Sequence, residues 1–364
     1  MRGSKPDKKM KQLLPSTASS FISHFTTARS DIRSKLQRNL SAQAATQRYL
    51  VSLSNARSKK HEDGGKALAH FRAISAPRAW TWKAVVPSTQ DLQLTDAQYR
   101  LAARHNLGLH PGFGQPAECP NCAAHKSIEA DPWHFLSCPK ESKGEVTVRH
   151  NAVADTLYKT VLAVGGQAIR EPTVLSTEKR VRPDLRIAVG GHHILSDVAV
   201  VHPGAPSHVA HGLSTATLGA ARSEQHNKHR KYDTVAADHH MEMLPFVVET
   251  HGGMAPEAAT LMFVIAQAGE EQLGQWPKED VVNQIASAVA IAIQRGNAMT
   301  YFSGHSRATL AGLKRAQQQQ RVQEEKEEKD EEEEEDEEEE EAEDAAKSGV
   351  GRAARTARVL QARR

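Results

Sequence analysis

The chain has 364 residues, 39% of them hydrophobic, enough to bury a substantial core in one to three domains. Its net charge of +3 hides an asymmetry, because the run 324–344 holds 18 acids against Lys326 and Lys329, a local −16 that leaves +19 on everything else. That surplus points to a polyanionic partner held through counterion release; the apolar runs are too short for a membrane-spanning helix, and three cysteines argue against a secreted disulfide scaffold.

In chain order, residues 1–69 read as a basic segment, partly helical and partly disordered, with a helix-forming composition over 42–56. Residues 1–12 are basic but lack the apolar stretch of a secretory signal. Residues 70–115 read as a helical linker. Within it 76–89, with Pro77, Pro87, Trp80 and Trp82, is a turn-rich connector, and Thr95 is a natural cap for a helix over 96–107.

Residues 116–142 form a cysteine module with the spacing Cys119-x2-Cys122-x11-His134-x3-Cys138, which uses every cysteine of the chain. A Cys-x-x-Cys turn sets two thiolates on one side of a loop, and His134 and Cys138 share a face of a helical turn. Four soft nitrogen and sulfur ligands suit a closed, structural Zn²⁺ site. His125 competes for the histidine position, and His134 is preferred because it lies within reach of Cys138.

Residues 145–313 alternate helical and strand patterns. The spacing of Val153, Leu157, Val161 and Leu162 predicts a helix over 150–164, ended by Gly165-Gly166. A short strand is expected at 168–171. Two β-rich runs, 181–189 and 194–201, flank Gly190-Gly191, a strong hairpin signal. A polar helix over 215–239, a buried strand over 243–250 and a packing helix over 281–294 follow. The order is helix, three strands, helix, strand, helix: an α/β domain with a mixed central sheet flanked by helices. Eight of the nineteen histidines fall within 202–251, with no HExxH pattern to give them a role. From 314 onward the acidic and then basic runs cannot bury a core, and are expected to be a disordered tail or at most a solvated helix.

The second constellation is Arg182-Pro183-Asp184, followed thirteen residues later by Asp197. On a hairpin of this length both carboxylates can meet near one end, where two hard oxygens can hold Mg²⁺, with the Val198 carbonyl as a third ligand. Asp197 interrupts an apolar strand, and a charge there is costly unless it is paired or metal-bound. Lys228, Lys231 and Tyr232 follow on the polar helix, the two lysines sharing a face.

The Cys-Cys-His-Cys cluster, Arg149-His150-Asn151, Arg182-Pro183-Asp184 with Asp197, and Lys228-x-x-Lys231-Tyr232, in that order, resemble the C-terminal region of non-LTR retrotransposon proteins that carry a restriction-like endonuclease. The resemblance spans roughly 70–300 and extends to the stretch 75–107 and to Pro245-Phe246-Val247-Val248-Glu249-Thr250-x-Gly252-Gly253. It implies a PD-(D/E)xK restriction-endonuclease-like core with Asp184 and Asp197 on Mg²⁺. The chain departs from the general nuclease pattern, since no lysine stands two residues after Asp197. In the resembling proteins the following helix supplies it, which makes Lys228 the catalytic lysine, supported by Lys231 and Tyr232, with Glu171 as an auxiliary acid.

The expected activity is Mg²⁺-dependent nicking of DNA, with Arg149, Arg180 and Arg182 contacting phosphates and the zinc module positioning the duplex. Structured RNA is a further expected partner, a histone or chromatin contact is expected of the acidic run, and the implied location is the nucleus. No Tyr-x-Asp-Asp motif occurs, so no reverse transcriptase activity is expected, and the chain reads as a piece or derivative of such an element's protein. The alternative is a catalytically inactive, nucleic-acid-binding remnant.

Overall fold

A computed structural model of the protein describes residues 62–112, 114, 118–119, 122, 127–129, 131–138, 140, 143–173, 182–274 and 277–361. The helix expected over 42–56 and Arg180 lie outside these residues. The linker holds α1 (Glu62–Ile74), the single turn α2 (Thr81–Ala84) and α3 (Asp96–Asn106). Thr95 caps α3 as expected: its side chain accepts from the Gln98 backbone N–H while the Gln98 side chain accepts from the Thr95 N–H, a reciprocal box that satisfies two end groups.

The α/β region opens with α4 (Lys143–Ala163). Its buried stripe runs Arg149, Val153, Leu157, Val161, four residues apart, which is one face of a 3.6-residue helix. Three antiparallel strands follow, β1 (Gln167–Arg170), β2 (Leu185–Val189) and β3 (His192–Ser196). Val189 pairs with His192, so Gly190 and Gly191 alone make the turn, with φ of 56° and 80°. Both need the left-handed region that a two-residue hairpin of this twist requires.

The chain then breaks step at Asp197 and resumes as β4 (Val198–Val201). After the short α5 (Pro206–Ala210) and the long polar α6 (Gly219–Asp238), β5 (Glu242–Met243) and β6 (Phe246–Glu249) lie parallel to β3 and β4 respectively. Two backbone bonds, Leu244 N–H to Leu195 O and Phe246 N–H to Asp197 O, both 3.0 Å, carry the pairing across the interruption. The result is a four-stranded mixed sheet in the order β1, β2, β3, β5 and a two-stranded parallel sheet of β4 and β6, joined end to end by these two bonds.

The expected helix, three strands, helix, strand order is present, with the runs 194–201 and 243–250 each split in two and with two helices more, the short α5 and the one that follows β6. Residues 256–273 form α7 (Pro256–Leu273), which the apolar periodicity missed because alanines and Gly269 dilute it. Its end signals were legible, Pro256 in the first turn and Gly274 left-handed at the C-cap.

The last helix, α8 (Lys278–Gln361), organises the rest. Ile285, Val289 and Ile293 complete the main core against the sheet, α4 and α7. Ala290 and Ile291 pack on Trp82 and Ala102 of the linker, and Ala298, Tyr301 and Ala308 pack on the cysteine module. Linker, cysteine module and α/β core therefore share one spine. The helix also crosses the boundary expected at 313/314 without a break, and its described side chains from 312 to 332 are exposed. The acidic run takes the second of its two expected forms, a solvated helix, where it is described.

The linker is fastened by histidines. His70 of α1, His105 of α3, and His202 and His251 after β4 and β6 gather with ring centroids as close as 4.1 Å for His105 on His251 and 5.2 Å for His70 on His251. Burial pushes all four below the usual histidine value, His202 to about 3, with Arg149 adding to the effect on His105 and His202. They are neutral packing groups, which accounts for part of the histidine-rich stretch.

Helices α4 and α8 approach most closely where Gly296 faces Arg149. A Cβ added there would lie 2.4 Å from Arg149 Cγ and 3.0 Å from its Cα. Gly296→Ala therefore sets about 1 kcal/mol of helix propensity gained against about 1–3 kcal/mol of overpacking. A net loss of about 1–2 kcal/mol is expected in denaturant unfolding; a stabilised variant would show that the helices separate freely.

Candidate functional site

The ligand atoms of Cys119, His134 and Cys138, all buried, lie within 4.8 Å of one another. A bridge between Glu118 and Ser127 ties the first part of the module, and a 3₁₀ turn over His134–Leu136 presents His134 just ahead of Cys138. No disulfide joins these thiols. Two thiolates and an imidazole at this spacing can hold a metal ion such as Zn²⁺. Cys122, expected as the fourth ligand, stands outside the group, because its Sγ is directed at the Cys119 carbonyl, 4.0 Å away. Of the two histidines considered, His134 is the one in the cluster; His125 lies outside the described residues.

The carboxylates meet at the break between β3 and β4. Asp184 immediately precedes β2, and the pairing of Leu185 with Ser196 brings it opposite Asp197. Asp184 Oδ2 accepts from the Val198 backbone N–H at 2.7 Å and lies 2.9 Å from His150 Nε2. Asp197 is 4% exposed, and its Oδ2 is 2.6 Å from Lys228 Nζ. Burial first, and then the neighbouring Asp184, push the Asp197 carboxyl up, while Lys228 and Tyr232 pull it back. Lys228 responds in the opposite sense: burial lowers it, but Asp197 and Glu224, the latter 3.4 Å away, raise it overall and keep it charged. Helix α6 thus places the Lys228 ammonium beside the carboxylate at the break between β3 and β4.

The supporting residues divide. Tyr232 is buried, donates to the Arg182 carbonyl at 3.0 Å and takes a bond from Lys231 Nζ at 2.7 Å. Burial and then Asp197 raise its hydroxyl, so it stays protonated. Lys231 reaches the site through that hydroxyl. Glu171 is exposed, sits at φ 46° and pairs with Arg182; its backbone N–H donates to the Asp184 carbonyl at 2.8 Å. It shapes the loop carrying Asp184, and its carboxylate is engaged with Arg182.

Arg149 requires a correction. The expected phosphate contact is 2% exposed, with Nη1 donating to Asn297 Oδ1 at 2.8 Å, and burial lowers its guanidinium to about 10. The reason is periodicity: Arg149 stands one turn before Val153 on the core stripe of α4. Arg182 is half-exposed beside the carboxylates, and Arg180 lies outside the described residues.

Two participants carried no assigned role in the sequence. His150 turns from α4 onto Asp184, and Glu224 backs Lys228 from one turn earlier on α6. The second had a signal in its i, i+4 spacing to the lysine; the first had none beyond its neighbour Arg149.

Glu249 on β6 lies elsewhere in the core, 1% exposed, with no hydrogen-bond partner for Oε2. Burial pushes its carboxyl from 4.5 up to about 7, partly opposed by the Ala221 backbone. A carboxyl raised in the folded state stabilises below its unfolded value, and that stability drains away as pH climbs toward 7. Glu249→Gln should match the wild type near pH 4 and exceed it by roughly 3 kcal/mol at pH 8. Parallel unfolding curves at both pH values would refute this reading.

No protein-family model matches the chain, and no curated protein matches it. Among the described residues no helix is long and apolar enough to cross a membrane.

Proposed function

We propose that the protein is a Mg²⁺-dependent DNA endonuclease with a PD-(D/E)xK core, of the kind found in non-LTR retrotransposon proteins. The observation that carries the proposal is Lys228 Nζ, 2.6 Å from Asp197 and delivered by the helix that follows the hairpin, with Asp184 on the adjoining strand. The helix, three strands, helix, strand order around a mixed sheet supports the same assignment.

The donor set fits a hard divalent cation. Asp184, Asp197 and the Val198 carbonyl all offer oxygens, and the Asp197 carboxyl is raised first by burial and then by the neighbouring Asp184. When bound, Mg²⁺ supplies charge to polarise the scissile phosphate and lowers the pKa of an attacking water. Asp197 anchors Lys228, whose ammonium stabilises the charge that builds on the phosphate oxygens. Tyr232 braces the Lys228 side of the site against the Arg182 carbonyl. Arg182, half-exposed at the rim, is the phosphate contact, and the zinc module holds the duplex in place. A nuclear location follows from this substrate.

The test is supercoiled plasmid incubated with the zinc-loaded full chain in Mg²⁺ or in EDTA. Nicked circles in Mg²⁺ alone are expected. A folded protein that retards DNA but never nicks it would favour the inactive, nucleic-acid-binding remnant instead.

A further inference from the structure

His150 occupies a position that a cation would contest. Its Nε2 lies 2.9 Å from Asp184 Oδ2 and 3.1 Å from the Val198 carbonyl oxygen. Both partners are acceptors, and both are oxygens assigned above to the metal. In an octahedral shell with bonds of about 2.1 Å, neighbouring ligand atoms are about 3 Å apart. The nitrogen thus stands from each oxygen at the spacing of neighbouring ligands around one ion. On its other side the ring is fixed: Nδ1 is 3.2 Å from the side-chain oxygen of Asn151. A ring with its proton on Nδ1 donates it to Asn151 and leaves the Nε2 lone pair toward the carboxylate, the usual way an outer partner sets a ligating histidine.

We propose that His150 is a direct nitrogen ligand of the cation held by Asp184 and the Val198 carbonyl, so that the site takes Mn²⁺ in preference to Mg²⁺. This rests on the endonuclease reading for the location of the cation, and goes beyond it in the cation's identity. Mg²⁺ favours an all-oxygen shell and holds its waters, whereas a mixed imidazole and carboxylate set suits a first-row divalent ion. On binding, the cation replaces the Nε2 proton that now faces Asp184 and Val198. A charged ring releases its Nε2 proton to solvent and keeps the Nδ1 proton on Asn151, whereas a neutral ring protonated at Nε2 moves that proton by way of solvent to a free Nδ1.

The experiment is a Mn²⁺ titration of the zinc-loaded full chain followed by electron paramagnetic resonance. ¹⁴N modulation is read by pulsed methods, and Mg²⁺ affinity by calorimetry. One Mn²⁺ is expected to bind with a directly coordinated imidazole nitrogen, at least about tenfold more tightly than Mg²⁺. His150→Gln should abolish the nitrogen signal and weaken Mn²⁺ about 10- to 100-fold, at least what losing an outer partner costs, with little change for Mg²⁺. His150→Ala serves as a second variant, and circular dichroism confirms folding of each.

Mn²⁺ that binds in a manner dependent on Asp184, with no nitrogen signal or with one that survives both His150 variants, overturns the ligand role and leaves the endonuclease reading intact. Equal losses for Mn²⁺ and Mg²⁺ overturn the selectivity. Mn²⁺ affinity indifferent to Asp184→Asn and Asp197→Asn overturns both this inference and the reading beneath it.

Discussion

Asp197→Asn is expected to lower nicking by at least about 10³-fold while leaving the thermal midpoint at or slightly above that of the wild type. The rate loss combines two effects: a ligand oxygen loses its charge, and the anchor of the catalytic lysine is weakened. Removing a single preorganised electrostatic contact in an enzyme site costs about 10²–10³ in kcat, and this substitution removes more than one. The stability side runs the other way. Asp197 is 4% exposed and its carboxyl is raised by burial and by Asp184, so neutralising it relieves an unfavourable burial of charge. Lys228 keeps Glu224 at 3.4 Å as a partner in the variant, which limits the damage of losing its main one. Asn retains the shape. Plasmid nicking and calorimetric melting on one preparation decide the matter: activity within tenfold of wild type would remove Asp197 from the chemistry, and unfolding would make it a structural residue.

Chelation of the cysteine module is the second large effect. Cys119, Cys122 and Cys138 are buried beside Leu136, Phe135 and Tyr301, the last of these on α8. Without a cation, the Cys119 and Cys138 sulfurs are left 3.8 Å apart in this core, beside a buried His134. Structural zinc contributes about 10–16 kcal/mol in isolated fingers. Here α8 buttresses the module, so a smaller loss of several kcal/mol is expected on chelation or on Cys138→Ser, read as a lower thermal midpoint with release of one zinc per chain. Cys122→Ser separates three ligands from four. Its Sγ stands apart from the cluster, so its cost should be well below that of Cys119→Ser, and equal costs would return Cys122 to the shell.

Local signals were the most legible part of the fold. A glycine pair between two β-rich runs fixed the hairpin register, and that register placed Asp184 opposite Asp197. Thr95 announced its cap. What failed was any feature that depends on a distant partner. Arg149 reads as a surface cation in isolation and is a buried one because α8 closes over it at Gly296. His150 shows its use only once α4 lies against the sheet edge. Helix α7 was obscured by small residues, whose value is the close approach they permit: Gly269 meets Val164, and Ala268 meets the hairpin at Gly190. The four clustered histidines come from α1, α3 and two loops, and no spacing along the chain joins them.

Because α8 carries the linker, the cysteine module and the sheet core on successive turns, these segments cannot be exchanged as cassettes. A graft of a foreign 70–142 segment would meet the wrong residues at Ala290, Ile291, Ala298, Tyr301 and Ala308, more than a hundred positions downstream. The two ends are therefore expected to vary together, and a cut between Cys138 and Lys143 should leave two pieces that still travel as one through a sizing column.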